Sequence, residues 1–289
     1  MAKSILGSIY LDRMQVRVTD EIVDIWKSKY IDRVDFLELE TIEDYLSSLS
    51  TGLPSRESET CPFSYPLLHT HALREAILCT YKGYALSRSV VRDLKSGQQT
   101  YPDISAYIAN LFFARAICLF LGVWFSPVQV KNDFLLIDLF AKRITGDKYV
   151  SKIFNLKNFR MNHESFWKTL LALIKQTSGT DITMPLGSFA NNTDYSKFAI
   201  NRNHLQYKYH SWNFDDLMND DAIETEWFTD YTRNFSLDFD QYQSHSHKLL
   251  IIELMDFINI FFRKIAVVDT LKTHLDNFEK QCLDYKGWI

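Results

Sequence analysis

The chain reads as a mainly α-helical protein, a helical bundle carrying a small N-terminal extension. Three observations predict this. Glycine and proline are scarce, nine and six among 289 residues, which argues against a turn-rich all-β fold and against long disordered tracts. Apolar residues make up 46% of the chain and aromatic residues 15%, ample for a large core, and in several stretches they recur at three- and four-residue spacing. Finally, residues 104–122 are apolar almost all round, with only Ser105, Asn110 and Arg115 strongly polar. Such a helix is either enclosed in a larger protein or spans a membrane. The apolar run 116–125, which Ser126 and Pro127 end, is about half of the roughly 20 residues a spanning helix needs. The enclosed reading is the expectation, with no membrane partner.

Residues 1–60 read as an N-terminal extension of mixed short elements, and 61–289 as a helical domain that ends in C-terminal docking helices. Residues 5–18, with several β-branched side chains, suit a short strand. Thr19-Asp20 precedes a helix over 21–30. Thr41-Ile42-Glu43-Asp44 fits a capping box opening a short helix that ends near Ser50. Residues 50–66 carry Gly52, Pro54, Pro62 and Pro66 among Ser, Thr and Glu, the composition of a linker.

Over 67–94, Ala72, Ala76, Cys79, Gly83 and Leu86 keep helical spacing. Ser96-Gly97-Gln98-Gln99 turns the chain into the 104–122 helix. Asp103 is placed to cap its first turn, and Gly122 to close it in the left-handed conformation. Two long helices joined so briefly are antiparallel neighbours. After Ser126-Pro127, residues 128–144 read as a third, more amphipathic helix and 164–176 as a fourth. Residues 177–193, with two glycines and a proline, read as a loop. A strongly apolar helix over 247–268 has one polar stripe of Glu253, Asp256, Asn259 and Arg263, so it must be docked. An amphipathic tail helix follows over 271–285. Arg115 on the apolar 104–122 helix is expected to be buried and paired, with Glu253 or Asp256 as its carboxylate.

Net charge is -4, so contact with nucleic acid has to come from local patches rather than bulk charge. Residues 142–160 supply one: Lys142, Arg143, Lys148, Lys152, Lys157 and Arg160 against the single acid Asp147. Residues 215–240 hold nine acids against Arg233, a solvated face or a surface for a protein partner. The cysteines Cys61, Cys79, Cys118 and Cys282 make no C-x-x-C pair. Cys79 and Cys118 sit in apolar helical patterns as small core residues. With no disulfide framework and no secretory signal, a reducing cytoplasm is the expected compartment, and the sequons at Asn191 and Asn234 carry no meaning there. His69-Thr70-His71 and His245-Ser246-His247 lack metal-ligand spacing and read as helix-start or loop histidines. No phosphate-cradling glycine loop, G-x-S-x-G or His-Glu-x-x-His is present, which disfavours an ATPase, that type of serine hydrolase and a zincin. No cofactor is expected.

The densest reactive cluster is Asn201-Arg202-Asn203-His204-Leu205-Gln206-Tyr207-Lys208-Tyr209-His210. Arginine offers a planar fork for phosphate oxygens, histidine moves protons near neutral pH, and tyrosine can stack on bases. On an ideal helix the eight steps from Arg202 to His210 turn ~800°, an offset of about 80°. The alternative is a surface turn and helix start whose aromatic rings pack on the core.

The helix–loop–helix order, the Phe112-Phe113-Ala114-Arg115-Ala116 core of the second helix and the later Arg202-Asn203 segment leading to Tyr207 and His210 together resemble the HEPN superfamily, over about residues 67–215. A fainter similarity is to YaaC-like bacterial proteins. The HEPN resemblance implies a helical bundle that dimerises. Its catalytic members are metal-independent ribonucleases with an Arg, four to six residues, then His. Carried over, Arg202 and Asn203 open the motif, with Arg202 holding the phosphate. His210 transfers protons, and Lys208, Tyr207, His204, Lys142, Arg143 and Lys152 bind substrate. Seven residues separate Arg202 from His210, one beyond the usual range. The expectation is a HEPN-like protein acting on or binding RNA, with a metal-independent ribonuclease in a toxin or antiphage defence setting as its sharpest form. The alternative is a non-catalytic helical subunit of a larger protein assembly.

Overall fold

The computed structural model of the chain describes residues 17–36, 41, 42, 44, 60–63, 67–98, 100–130, 133–143, 149–156, 163–178, 246–266 and 269–287. Its architecture is mainly α. Six α-helices, α1 (Thr19–Ile25), α2 (Leu68–Lys95), α3 (Thr100–Phe120), α4 (His163–Lys175), α5 (Ser246–Ile265) and α6 (Asp269–Gly287), are joined by short strands. These are β1 (Arg17–Val18), β2 (Thr60–Phe63), β3 (Val123–Val130), β4 (Asp133–Arg143), β5 (Tyr149–Leu156) and β6 (Thr177–Ser178).

Four helices form a ring. α3 packs on α2 and α5, and α6 closes the ring against α5 and α2. Side-chain contacts fix the directions. Arg263 pairs with Glu279 and Asp256 with Lys286, so α5 and α6 are antiparallel. Tyr107 meets His247 while Phe120 meets Phe261 and Phe262, so α3 and α5 run parallel. Tyr81 contacts His274 and Tyr84 stacks on Phe278, so α6 runs parallel to α2. The short turn after Lys95 makes α2 and α3 antiparallel, as the sequence predicts. They approach closely because Gly83 faces the Phe113 ring, where an added Cβ would lie 2.6 Å from Cε1.

The long apolar helix is the enclosed element. From Ala106 to Leu121 its side chains are mostly buried. By length and composition Tyr101–Phe120 is apolar enough to cross a membrane, but two-thirds of it is buried inside the protein, which accounts for its composition. At its C-terminal end the Trp26 indole donates a hydrogen bond of 2.8 Å to the Phe120 carbonyl, one of the four that a helix end leaves open. Trp26 belongs to a π-helical turn, Trp26–Tyr30, that continues α1. Gly122 then takes φ +81 and stops the helix, again as predicted. Thr41 and Asp44 exchange the reciprocal bonds of the capping box: the Asp44 N–H donates to Thr41 Oγ1 at 3.0 Å, and the Thr41 N–H donates to Asp44 Oδ2 at 3.0 Å. The remainder of that predicted helix lies outside the described residues.

Several expectations are corrected. The described residues of 128–144, which are 128–130 and 133–143, form β-strands, not a third helix. A four-stranded antiparallel sheet has the order β2-β5-β4-β3. The run 135–140 is buried at every position, so β4 is covered on both faces. That burial calls for continuous apolar residues and hides the period of two. Within the supposed linker, Thr60–Phe63 is an edge strand paired with β5, and Pro62 is tolerated at that edge. In the supposed loop, Thr177–Ser178 pairs in parallel with Arg17–Val18. The α3 helix begins at Thr100, so Asp103 lies inside its first turn rather than capping it. Arg115 is exposed. Glu253 is buried and Asp256 pairs with Lys286 at 2.6 Å, so the expected internal pairing of Arg115 is not formed.

Gly122 also gives a test of the helix–sheet junction. An added Cβ would lie 2.1 Å from the Phe140 ring, on a backbone conformation that L side chains rarely adopt. The conformational cost is about 1–2 kcal/mol and overpacking adds about 1–3 kcal/mol. Gly122→Ala is therefore expected to lower stability by about 2–5 kcal/mol in urea unfolding. A loss well under 1 kcal/mol would refute the tight seating of Phe140.

Candidate functional site

The richest described set of ionisable and hydrogen-bonding side chains lies on the first half of α3. Asp103, Tyr107 and Asn110 stand at helical spacing and form one stripe. That stripe meets the starts of α4 and α5. Asp103 Oδ1 lies 3.3 Å from Lys248 Nζ, with side chains 4% and 0% exposed. The Asn110 amide donates to the His247 carbonyl at 2.6 Å. Tyr107 Oη lies 2.6 Å from His163 Nδ1, and its ring sits edge-on to His247 at 5.4 Å. From α6, the Tyr285 hydroxyl donates to the Lys248 carbonyl at 3.3 Å. The first turn of α5 is thus held by side chains from α3 and α6. The Asn110 and Tyr285 bonds go to carbonyls at its foot.

Two histidines are kept neutral by this packing. Burial pushes His247 down to about 3, helped by the neighbouring Lys248 charge. At the other end of the bundle His69 stacks on Tyr30 at 4.4 Å and meets Trp26 and Phe140. Burial brings it down to about 4. Chemically, the α3 stripe is a buried anchor with fixed protons. Its partly exposed member is His163, whose Tyr107 contact can pass a proton between phenol and imidazole. Among the described residues no group of three His, Cys, Asp or Glu is arranged to hold a metal.

The residues singled out from sequence fall elsewhere. Arg202, Asn203, His204, Tyr207, Lys208 and His210 lie outside the described residues. Lys142 and Arg143 end β4, where their backbones pair with Val150 and Tyr149. Lys152 is in β5, half-buried and in register with Asp138 and Pro62. All three cations therefore belong to a sheet, and Lys142 and Arg143 do so in place of the helix expected over 128–144. The α3 stripe was missed because Asp103 read as a cap. The overlooked signal was Lys248, a lysine at the foot of a strongly apolar helix that has to find a carboxylate. No protein-family model matches the chain, and no curated protein or solved structure is similar to it.

Two measurements test the anchor. Asp103→Leu removes the carboxylate facing a fully buried ammonium and is expected to cost about 3–5 kcal/mol, much of it recovered when Lys248→Met is added. Simple addition of the two single losses in urea unfolding would show that the charges do not sense each other. The second concerns acid. The unfolded chain protonates His69 and His247 near pH 6.5, while the folded chain resists until about 4 and about 3. Protons are taken up on unfolding, so stability falls as pH drops from about 6.5 through that window. Replacing either histidine by glutamine is expected to flatten the fall by about 1.4 kcal/mol per pH unit between roughly pH 6 and 4.5. An unchanged slope in pH-dependent urea unfolding counts against neutral burial.

Proposed function

We propose that this is a HEPN-like helical protein that acts on or binds RNA, with Arg202 and His210 as the catalytic pair of a metal-independent ribonuclease. Asn203 and Lys208 support them, and the protein works as a homodimer in a cytoplasmic toxin or antiphage setting. One structural observation lends it support: the full-length antiparallel packing of α2 and α3. The Phe112–Ala116 core lies on the enclosed partner of that pair, and two further helices complete a ring. Arg202 and His210 lie in the long connection between α4 and α5. Arg202 would hold the phosphodiester by its guanidinium fork, and His210 would take the 2′-hydroxyl proton and return one to the leaving oxygen.

A second reading, a non-catalytic subunit of a larger assembly, is favoured by the outer face of α2 and α3. There Leu78 is 50% exposed, Lys82 Nζ stands 4.3 Å over the half-buried Phe112 ring, and Arg115 is exposed. Apolar surface flanked by two cations suits an acidic protein partner.

RNA cleavage in EDTA separates the two. Wild type is expected to cut, with His210→Ala and Arg202→Ala each slower by about 10²-fold or more and each with the wild-type circular dichroism spectrum. Failure of wild type to cut any RNA tried, or an undiminished His210→Ala, eliminates the nuclease.

A further inference from the structure

Between them α2 and α6 leave a groove of about 460 Å³, within the roughly 300–1,000 Å³ of small-molecule sites. Arg88, Val91 and Lys95 line one wall from a single stripe of α2. Gln281, Leu283 and Asp284 line the other from α6, and the buried Tyr84 and Tyr285 belong to the lining as well.

Three features make this more than a surface dent. Gln281 lines the groove, and its Oε1 is shielded from solvent with no hydrogen-bond partner among the described residues. A buried acceptor in that state is costly and gains most from a ligand N–H. Next, the two walls carry opposite charge. Arg88 and Asp284 are both exposed, yet neither makes an ion pair among the described residues; they face across the groove instead of closing it. Last, the apolar side chains sit among these polar groups: Val91 is half-buried and Leu283 is 68% exposed, the most exposed of the large apolar residues described.

From this we infer that the groove between α2 and α6 binds a small zwitterion with an apolar side chain, an apolar α-amino acid being the simplest form. Its carboxylate turns to the Arg88 and Lys95 wall. Its ammonium faces Asp284, and a turn of the Gln281 amide brings Oε1 to it. Its side chain covers Val91 and Leu283. A purely anionic ligand would meet Asp284 with like charge, and a purely cationic one would meet Arg88, so the two-sign pattern selects against both. The site is independent of any action on RNA.

Calorimetric titration of the full chain with L-leucine, leucinamide and 4-methylpentanoate tests it. L-leucine is expected to bind saturably, and loss of either its carboxylate (leucinamide) or its ammonium (4-methylpentanoate) to weaken binding at least tenfold. Arg88→Gln should weaken L-leucine tenfold while leaving leucinamide unchanged. Asp284→Asn should weaken L-leucine while leaving 4-methylpentanoate unchanged. Both residues are exposed, so an unchanged melting temperature confirms the fold of each variant. No saturable binding of L-leucine or L-phenylalanine at millimolar concentration overturns the proposal, as do three probes that bind alike or an Arg88→Gln protein that binds L-leucine like wild type.

Discussion

A helix that is apolar on almost every side must be covered on almost every side, and α3 imposes that condition on the rest of this protein. Two partner helices cannot cover it. α2 and α5 flank it lengthwise, the α1 turn and β4 close its C-terminal end, and α4 meets its N-terminal half. The helix termini then set the next problem, because buried ends carry open backbone groups. Trp26 is spent on one such carbonyl, and its ring fills space against Phe140. One aromatic side chain thereby joins the N-terminal segment, the central helix and the sheet. The N-terminal segment shares the core with the ring helices: Ile22, Ile25 and Trp26 are as buried as Phe261 and Phe278.

The Asp103–Lys248 pair answers a different need. Apolar ridges between α3 and α5 attract in many axial registers, since Phe257, Phe261 and Phe262 offer similar surfaces. A slip of one helical turn, about 5.4 Å, would separate the two charges and bury both unsatisfied. A buried ion pair adds little net stability over apolar side chains of the same shape. It penalises wrong registers heavily, however, and Asn110 on His247 and Tyr285 on Lys248 pin the same turn. The Lys286–Asp256 contact and the Lys264–Asp20 contact, 2.6 and 3.0 Å, hold α5 at two further points.

How much of this could be read from sequence depends on where periodicity survives burial. The helices α2, α3, α4, α5 and α6 were legible within a few residues, because three- and four-residue spacing persists when only one stripe is buried, and because Gly122 supplied an unmistakable stop. The sheet was not. In β4 the run from Leu135 to Phe140 is covered on both faces, so the alternation that marks a half-buried strand is erased and its five apolar residues, broken only by Asp138, resemble a helix face. Arg115 misled for the opposite reason. A cation in an apolar stretch suggests a buried charge, but α3 keeps a partly exposed stripe through Ile108, Leu111 and Phe112, and Arg115 lies on it. Lys248, the fully buried cation on α5, looked like an ordinary helix-start residue. Of the reactive residues chosen from sequence, only the backbones of Lys142 and Arg143 and the whole of Lys152 fall within the described structure.

The parallel run of α3 and α5 bears directly on where chemistry can reside. After α3 ends, the chain has to travel the length of the ring before α5 can start beside the first turn of α3. Short loops cannot do this, so a long crossover is obligatory. The sheet strands β3 to β5, helix α4 and residues 179–245 are that crossover. Its insertion disturbs none of the α2–α3–α5–α6 contacts. Such a segment is free to vary in length and content at small cost to the scaffold, the circumstance in which reactive residues accumulate on connections. The Arg202–His210 cluster and the acid-rich stretch 215–240 both lie in it. The scaffold holds the crossover at β4, at the start of α4 and at its end, where His247 and Lys248 lock onto α3. Whatever the crossover does, it does from a fixed point of attachment.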